Sequence, residues 1–167
     1  MPALTRVYSG RGSKQFVGML KMLDIPPVWL GLSILFVWAL GPYLTLGQIA
    51  GPVMIMAGWG LNVMGLVLIL AAAWSFFRHS TTIIPHQTPA RVIQSGVFAL
   101  TRNPIYLGDA LILAGCCLVL GAFLGLILVP VFMWWITVRF ITDEEGRMRS
   151  AMPDEFMKYE RKVRRWM

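Results

Sequence analysis

Apolar side chains dominate this chain in runs too long for a water-facing surface to tolerate. One run covers residues 28–46 and a second covers 52–77. A helix crossing a ~30 Å hydrocarbon core needs about 20 residues, so each run crosses once. A third stretch, 105–140, has no basic side chain before Arg139. It is too long for one crossing and suits two short ones, with Gly121 and Gly125 near its middle where a tight helical hairpin would turn. The pattern predicts an all-α integral membrane protein of about four transmembrane helices in a single membrane domain. Its parts are a basic arm or interfacial helix (1–27), two spans (28–77), a loop (78–103), a hairpin of two spans (104–140) and a helical tail (141–167).

Composition agrees with this. Of 167 residues, 57% are hydrophobic and 14% charged, against roughly 25% charged in a soluble domain. Charge placement adds orientation. Arg6, Arg11, Lys14 and Lys21 precede the first span, and Arg78, Arg91 and Arg102 lie between the second and third. Arg139, Arg147, Arg149, Lys158, Arg161, Lys162, Arg164 and Arg165 complete the set of 15 basic residues. None falls in the connections near 47–51 and 120–123, so the positive-inside rule puts both termini and the middle loop in the cytoplasm. Residues 1–27 lack the apolar core and cleavage site of a signal peptide. The net charge of +7 fits an anionic cytoplasmic leaflet, and nucleic acid is not needed to explain it. Cys116 and Cys117 are adjacent in an apolar span and point to different helix faces, which favours packing over a disulfide or a metal pair.

The outer connections carry no ionisable side chain, so any catalytic site must be built from 78–110 and 139–167. Pro85, Pro89 and Gly96 make much of the loop irregular. Asn103 is placed as N-cap and Pro104 as first helical residue of span three. The helix N-terminus, reinforced by Arg102, suits a carboxylate or phosphate. A capped helix with an interfacial Arg and a belt Tyr reads from the same spacing. Asp109 lies five residues past Pro104, roughly 7–8 Å along the axis. Such an acid is costly unless it is paired, with Arg102 and the tail arginines as candidates, or faces a polar cavity. In the tail, Glu144 with Arg147 and Glu145 with Arg149 are spaced for ion pairs on one helix. Met152-Pro153 breaks that helix. In the next, Phe156, Tyr159, Val163 and Trp166 fall along one side with basic residues around the remainder, which predicts a helix in the headgroup plane.

Arg102-Asn103-Pro104-x-Tyr106-Leu107-Gly108, a membrane hairpin, Glu144-Glu145 and the closing Glu155-Phe156-x-x-Tyr159-x-x-x-Val163-Arg164-Arg165-Trp166 together resemble the isoprenylcysteine carboxyl methyltransferase family. The likeness is greatest to its small bacterial members and extends to the phospholipid methyltransferases, over about residues 78–167. It implies methyl transfer from S-adenosylmethionine to a lipidic or prenylated acceptor, and a bacterial inner membrane. Carried over, Arg102, Asn103, Pro104, Tyr106, Gly108, Glu144 and Glu145 belong to the cofactor part, and Tyr159 and Arg164 to the tail closing over it. Arg102 and Asp109 are the candidate catalytic residues. No metal or covalent nucleophile is required, because in-line methyl transfer needs mainly alignment and exclusion of water. Gly96-Val97-Phe98 stands where many members have Gly-Pro-Tyr, Phe156 where a Tyr is common, and Asn103 where the isoprenylcysteine enzymes often have His. The two lost hydroxyls bear on the acceptor more than on the cofactor.

Two other readings stand beside this one. Gly108-Asp109 also resembles an acid-after-glycine pattern of membrane sterol reductases, which use NADPH; the Glu144-Glu145 pair and the short chain argue against it. A non-catalytic membrane subunit, or a homo-oligomer, would use small residues for close helix packing: Gly58, Gly60 and Gly65 in span two, and Gly108, Ala110, Ala114 and Gly115 in span three.

Overall fold

The computed structural model describes residues 24–45, 50–79 and 92–167. Residues 1–23 of the basic arm, residues 80–91 of the loop after span two and residues 46–49 of the first outer connection lie outside these residues. The described elements are helices: α1 (Pro26–Leu40), α2 (Pro52–Arg78), α3 (Pro104–Val119), α4 (Leu128–Ile136), α5 (Thr142–Ala151) and α6 (Pro153–Lys162). Short 3₁₀ turns occupy Gly41–Tyr43, Gly96–Ala99 and Phe123–Ile127. No strand occurs among the described residues. Pro26, Pro52, Pro104 and Pro153 each open a helix, where a missing N–H costs nothing and the fixed φ is already helical.

This is an all-α membrane protein. Three continuous stretches are long and apolar enough to cross a bilayer: Pro26–Tyr43, Pro52–Arg78 and Phe123–Ala151. The fourth expected span, α3, is shorter at 16 residues, about 24 Å of helix. It is also the central helix, packed against α1, α2 and α4. A helix wrapped by its neighbours need not match the hydrocarbon thickness, because protein rather than lipid covers its ends.

Contact between α2 and α3 is the most extensive in the molecule. It is a seam of glycines seven residues apart, running antiparallel. A Cβ on Gly65 would lie 2.6 Å from the Gly108 carbonyl oxygen, and one on Gly115 would lie 2.6 Å from that of Gly58. Backbone therefore meets backbone at both levels, the geometry that small residues permit in membranes. Gly60, expected in this seam, has nothing within 4 Å of such a Cβ. On the other side of α3, Ala110, Leu113 and Cys117 join Val37 of α1 and Phe132 and Ile136 of α4 in the main core.

The hairpin turns where the glycines predict. Gly121 has φ of +66°; its N–H donates to the Leu118 carbonyl at 3.2 Å, and that of Ala122 to Cys117 at 2.9 Å. This is a Schellman cap, which needs the left-handed backbone that glycine adopts freely. The Leu124 N–H donates to Leu44 at 3.1 Å, tying both outer turns together at the uncharged end.

At the opposite end α4 runs into α5 through a single π-helical turn, Thr137–Ile141. The Thr142 hydroxyl closes it on the Thr137 carbonyl at 2.9 Å. The extra residue rotates α5 relative to α4, a device common near functional sites.

Candidate functional site

The polar site forms where the N-terminus of α3, the start of α5 and the end of the chain converge. Asn103 occupies the N-cap position of α3 but makes no side-chain cap. Its Nδ2 donates instead to the Arg165 carbonyl at 3.1 Å. That carbonyl also takes the Thr101 hydroxyl at 3.0 Å, and the Arg102 N–H donates to the Arg164 carbonyl at 3.0 Å. Three consecutive residues thus fix the tail to the head of α3. Arg164 contributes through its backbone, with its side chain exposed.

Beside this strap is a network of ions centred on the buried Arg102 and Glu145. Arg102 Nη1 lies 3.3 Å from Glu145 Oε1 and 3.0 Å from Glu160 Oε1, with the Arg102 side chain only 10% exposed. Arg165 grips Glu145 through two hydrogen bonds, 3.1 and 2.6 Å. Arg149 reaches both oxygens of Glu160 at 3.1 and 3.0 Å. These contacts replace the expected Glu145–Arg149 pair: tertiary partners offer a better-desolvated, two-pronged geometry than a neighbour on the same helix. The Glu145 hydrogen bonds raise the pKa of Arg165. Glu160 is held below the usual carboxylate range, chiefly by the Arg149 hydrogen bond and further by Arg102. Within Arg102, Nε is buried and has no hydrogen-bond partner.

Glu144 points elsewhere. Its Oε1 accepts the Tyr106 hydroxyl at 2.8 Å, joining the two motifs across the start of α3 and α5. Gly108, two residues on and so across the helix, faces Gly65 and Ile69 of α2 rather than this pair. Tyr159 is buried and donates to the Phe98 carbonyl at 2.7 Å; burial pushes its phenol above the usual range. Pro104 is buried and opens α3.

The tail helix departs from the expected membrane-surface arrangement. Phe156 and Tyr159 of α6 form a buried cluster with Val92, flanked by Met148, Met152 and Val163. An amphipathic stripe looks the same whether lipid or protein covers it, and here the protein does. The helix ends at Lys162, and Trp166 packs beyond it on the main core.

Of the two settings open to Asp109, the ion pair is not the one found. It is 5% exposed, its Oδ2 has no hydrogen-bond partner, and no described ion pair includes it. Trp135 Nε1 is likewise buried and unpartnered; its ring lies 4.9 Å from that of Trp29, tilted at 58°. Trp29 Nε1 donates to Asp24 at 3.0 Å, and Asp24 also pairs with Arg139, linking α1 to the π turn. Sequence reading missed Glu160. Its signal was available, since it is the one acid among Arg161, Lys162, Arg164 and Arg165.

Comparison with known proteins assigns the ancestry of this arrangement. The profile of the phospholipid methyltransferase family matches residues 53–153, from α2 through the hairpin and Glu144-Glu145 to Pro153, and the chain belongs to that family. Among curated proteins it is similar to the protein-S-isoprenylcysteine O-methyltransferase of Schizosaccharomyces pombe, 29% identical over 72 residues. That match covers 43% of this chain and 30% of the relative, so the chain spans about a third of the relative's length. No solved structure matches.

Proposed function

We propose that the chain transfers a methyl group from S-adenosylmethionine to a lipidic or prenylated acceptor at the cytoplasmic face of its membrane, a bacterial inner membrane. The observation that carries this reading is the meeting of the two motif segments, with Tyr106 on Glu144 at 2.8 Å and Arg102 beside Glu145. The donor's chemistry fits the residues there. Its carboxylate suits the buried, unpartnered Nε of Arg102 and the positive end of α3. Its ammonium suits Glu144, and its adenine suits an aromatic face such as Tyr106 or Trp135. When bound, the donor supplies an electrophilic methyl group.

The protein's residues supply position and dryness. Glu145 is occupied by Arg102 and Arg165, so it holds the arginines in place while Glu144 faces the ligand. The strap through Thr101, Asn103 and Arg165 closes the cytoplasmic side against water. An acceptor with an acyl or prenyl chain enters sideways from the bilayer.

Calorimetric titration of the detergent-purified protein with S-adenosylhomocysteine, and in parallel with NADPH, tests the reading. Saturable binding of the first alone is expected. Arg102→Ala and Glu144→Gln should each weaken it at least about tenfold, since each removes a charge-assisted hydrogen bond worth roughly 1.5–3 kcal/mol. Binding of NADPH alone, or undiminished binding in both variants, would sink the assignment.

A further inference from the structure

Glu160 falls on an unspecified position of the closing motif, yet it is the nearer of the two acids at Arg102. Arg149 reaches both of its oxygens, at 3.1 and 3.0 Å, and so holds the carboxylate from the α5 side. Its Oε1 lies 3.0 Å from Arg102 Nη1, against 3.3 Å for Glu145 Oε1. Glu145 is committed to Arg165 through hydrogen bonds of 3.1 and 2.6 Å. Arg102 therefore stands between an acid of α5 and an acid of α6. A single carboxylate would leave this long side chain free to pivot about one contact. Two, from separate helices, fix the direction of its planar donor fork.

Neither contact is aligned as a hydrogen bond: Nη1 and Nε of Arg102 are both buried without a hydrogen-bond partner. The acids thus offset the charge of Arg102 without taking these N–H groups. The contacts run Arg149–Glu160–Arg102–Glu145–Arg165. Three cations and two anions leave one positive charge over, which suits one monovalent anion. Glu160 is not needed to dock α6, which is held by Phe156 and Tyr159 in their buried cluster and by the Tyr159 hydroxyl on Phe98. Its distinct effect is on where the Arg102 guanidinium points.

We propose that Glu160, pinned by Arg149, is a positioning residue that keeps the spare N–H groups of Arg102 available to the carboxylate of the methyl donor; the proposal rests on the methyl-transfer reading above. Charge alone makes the opposite prediction. Glu160 is an anion beside an anion site, so by its field it repels a carboxylate, and deleting it would tighten binding. As a positioning residue, its deletion weakens binding.

The test titrates the full-length protein in detergent with S-adenosylhomocysteine and with its decarboxylated analogue, which keeps the adenosine, thioether and amine. The wild type should prefer the carboxylate-bearing probe by at least about tenfold, the order of a hydrogen bond to a charged group. Glu160→Ala should bind that probe about fivefold more weakly, the order of one ordinary hydrogen bond, and keep the decarboxylated probe within about twofold. Unchanged or tighter binding of S-adenosylhomocysteine by the variant would overturn the proposal. So would an equal loss of both probes, because Glu160 would then serve the fold alone. Equal binding of the two probes by the wild type would take the carboxylate away from Arg102, and the proposal with it, while leaving the methyl donor in place. Binding of neither probe by the wild type would remove the methyl-transfer reading itself together with this proposal.

Discussion

Glu144 and Glu145 are neighbours in sequence, yet a step of about 100° around a helix sends them to different partners. Glu145 is 5% exposed and lies between Arg102 and Arg165; Glu144 meets Tyr106. Neutralising them should therefore separate stability from binding. Glu145→Gln leaves two guanidinium groups without their shared anion, and breaking a buried pair costs about 3–5 kcal/mol. Arg165 is about a third exposed, so the low end, about 3 kcal/mol, is expected, seen as a clear fall in unfolding temperature in detergent. Glu144→Gln should unfold near the wild-type temperature and lose S-adenosylhomocysteine affinity instead. The paired acids were visible in sequence, but their partners were not. Local spacing offered Arg149 for Glu145, and only the folded chain shows that Arg102 and the tail lie closer.

The seam between α2 and α3 was half legible for a related reason. Small residues at 58, 60 and 65 announce close packing, but one helix cannot show which of them faces its neighbour. The seven-residue spacing of Gly58–Gly65 and Gly108–Gly115 decides it. Gly65→Ala drives a methyl group against the Gly108 carbonyl and Ile112, with backbone as the obstacle. It should destabilise by about 1–3 kcal/mol, while Gly60→Ala, facing open space, should be neutral or slightly stabilising. Thermal unfolding of the two variants side by side checks this. The π turn at Thr137–Ile141 was not legible, because no residue pattern distinguishes it from continuing helix. The docking of α6 was hidden by the likeness between a lipid-facing and a protein-facing stripe.

That docking also gives α6 a pH dependence. Glu160 has its carboxyl pKa lowered by Arg149 and Arg102, so its ion pairs add stability above the ordinary glutamate pKa near ~4.3. The contribution disappears as pH falls through the lowered folded value. Glu160→Gln should accordingly flatten the acid side of the stability profile and leave the alkaline side unchanged. The effect is small, since the side chain is 31% exposed and solvent screens the pairs.

For the molecule as a whole, charge and covalent order together define two ends. The turns around Gly41–Tyr43 and Gly121 meet at one end, joined by the Leu124–Leu44 hydrogen bond, and carry no basic residue. Asp24, Arg102, Arg139, α5 and α6 gather at the other, joined by the ion pairs of Arg139 and Arg102. The positive-inside rule predicts one orientation for a bundle so polarised, with the basic end in the cytoplasm. It also accommodates the short α3: the apolar surfaces exposed by α1 and α2 set the hydrophobic thickness, and α3 is shielded inside. Impermeant maleimide labelling of intact cells measures this directly. A cysteine at exposed Tyr43 should react from outside, and one at exposed Ser150 only after the membrane is opened. The native Cys116 and Cys117 lie within α3 and serve as the unreactive background. Labelling of both introduced cysteines from the same side would mean an even number of crossings between them. Since α2, α3 and α4 lie between these positions, equal sidedness would require one of the three, α3 above all, to fail to cross. The reversed pattern would keep the bundle and invert it, putting the Arg102 site on the wrong side for a cytoplasmic methyl donor.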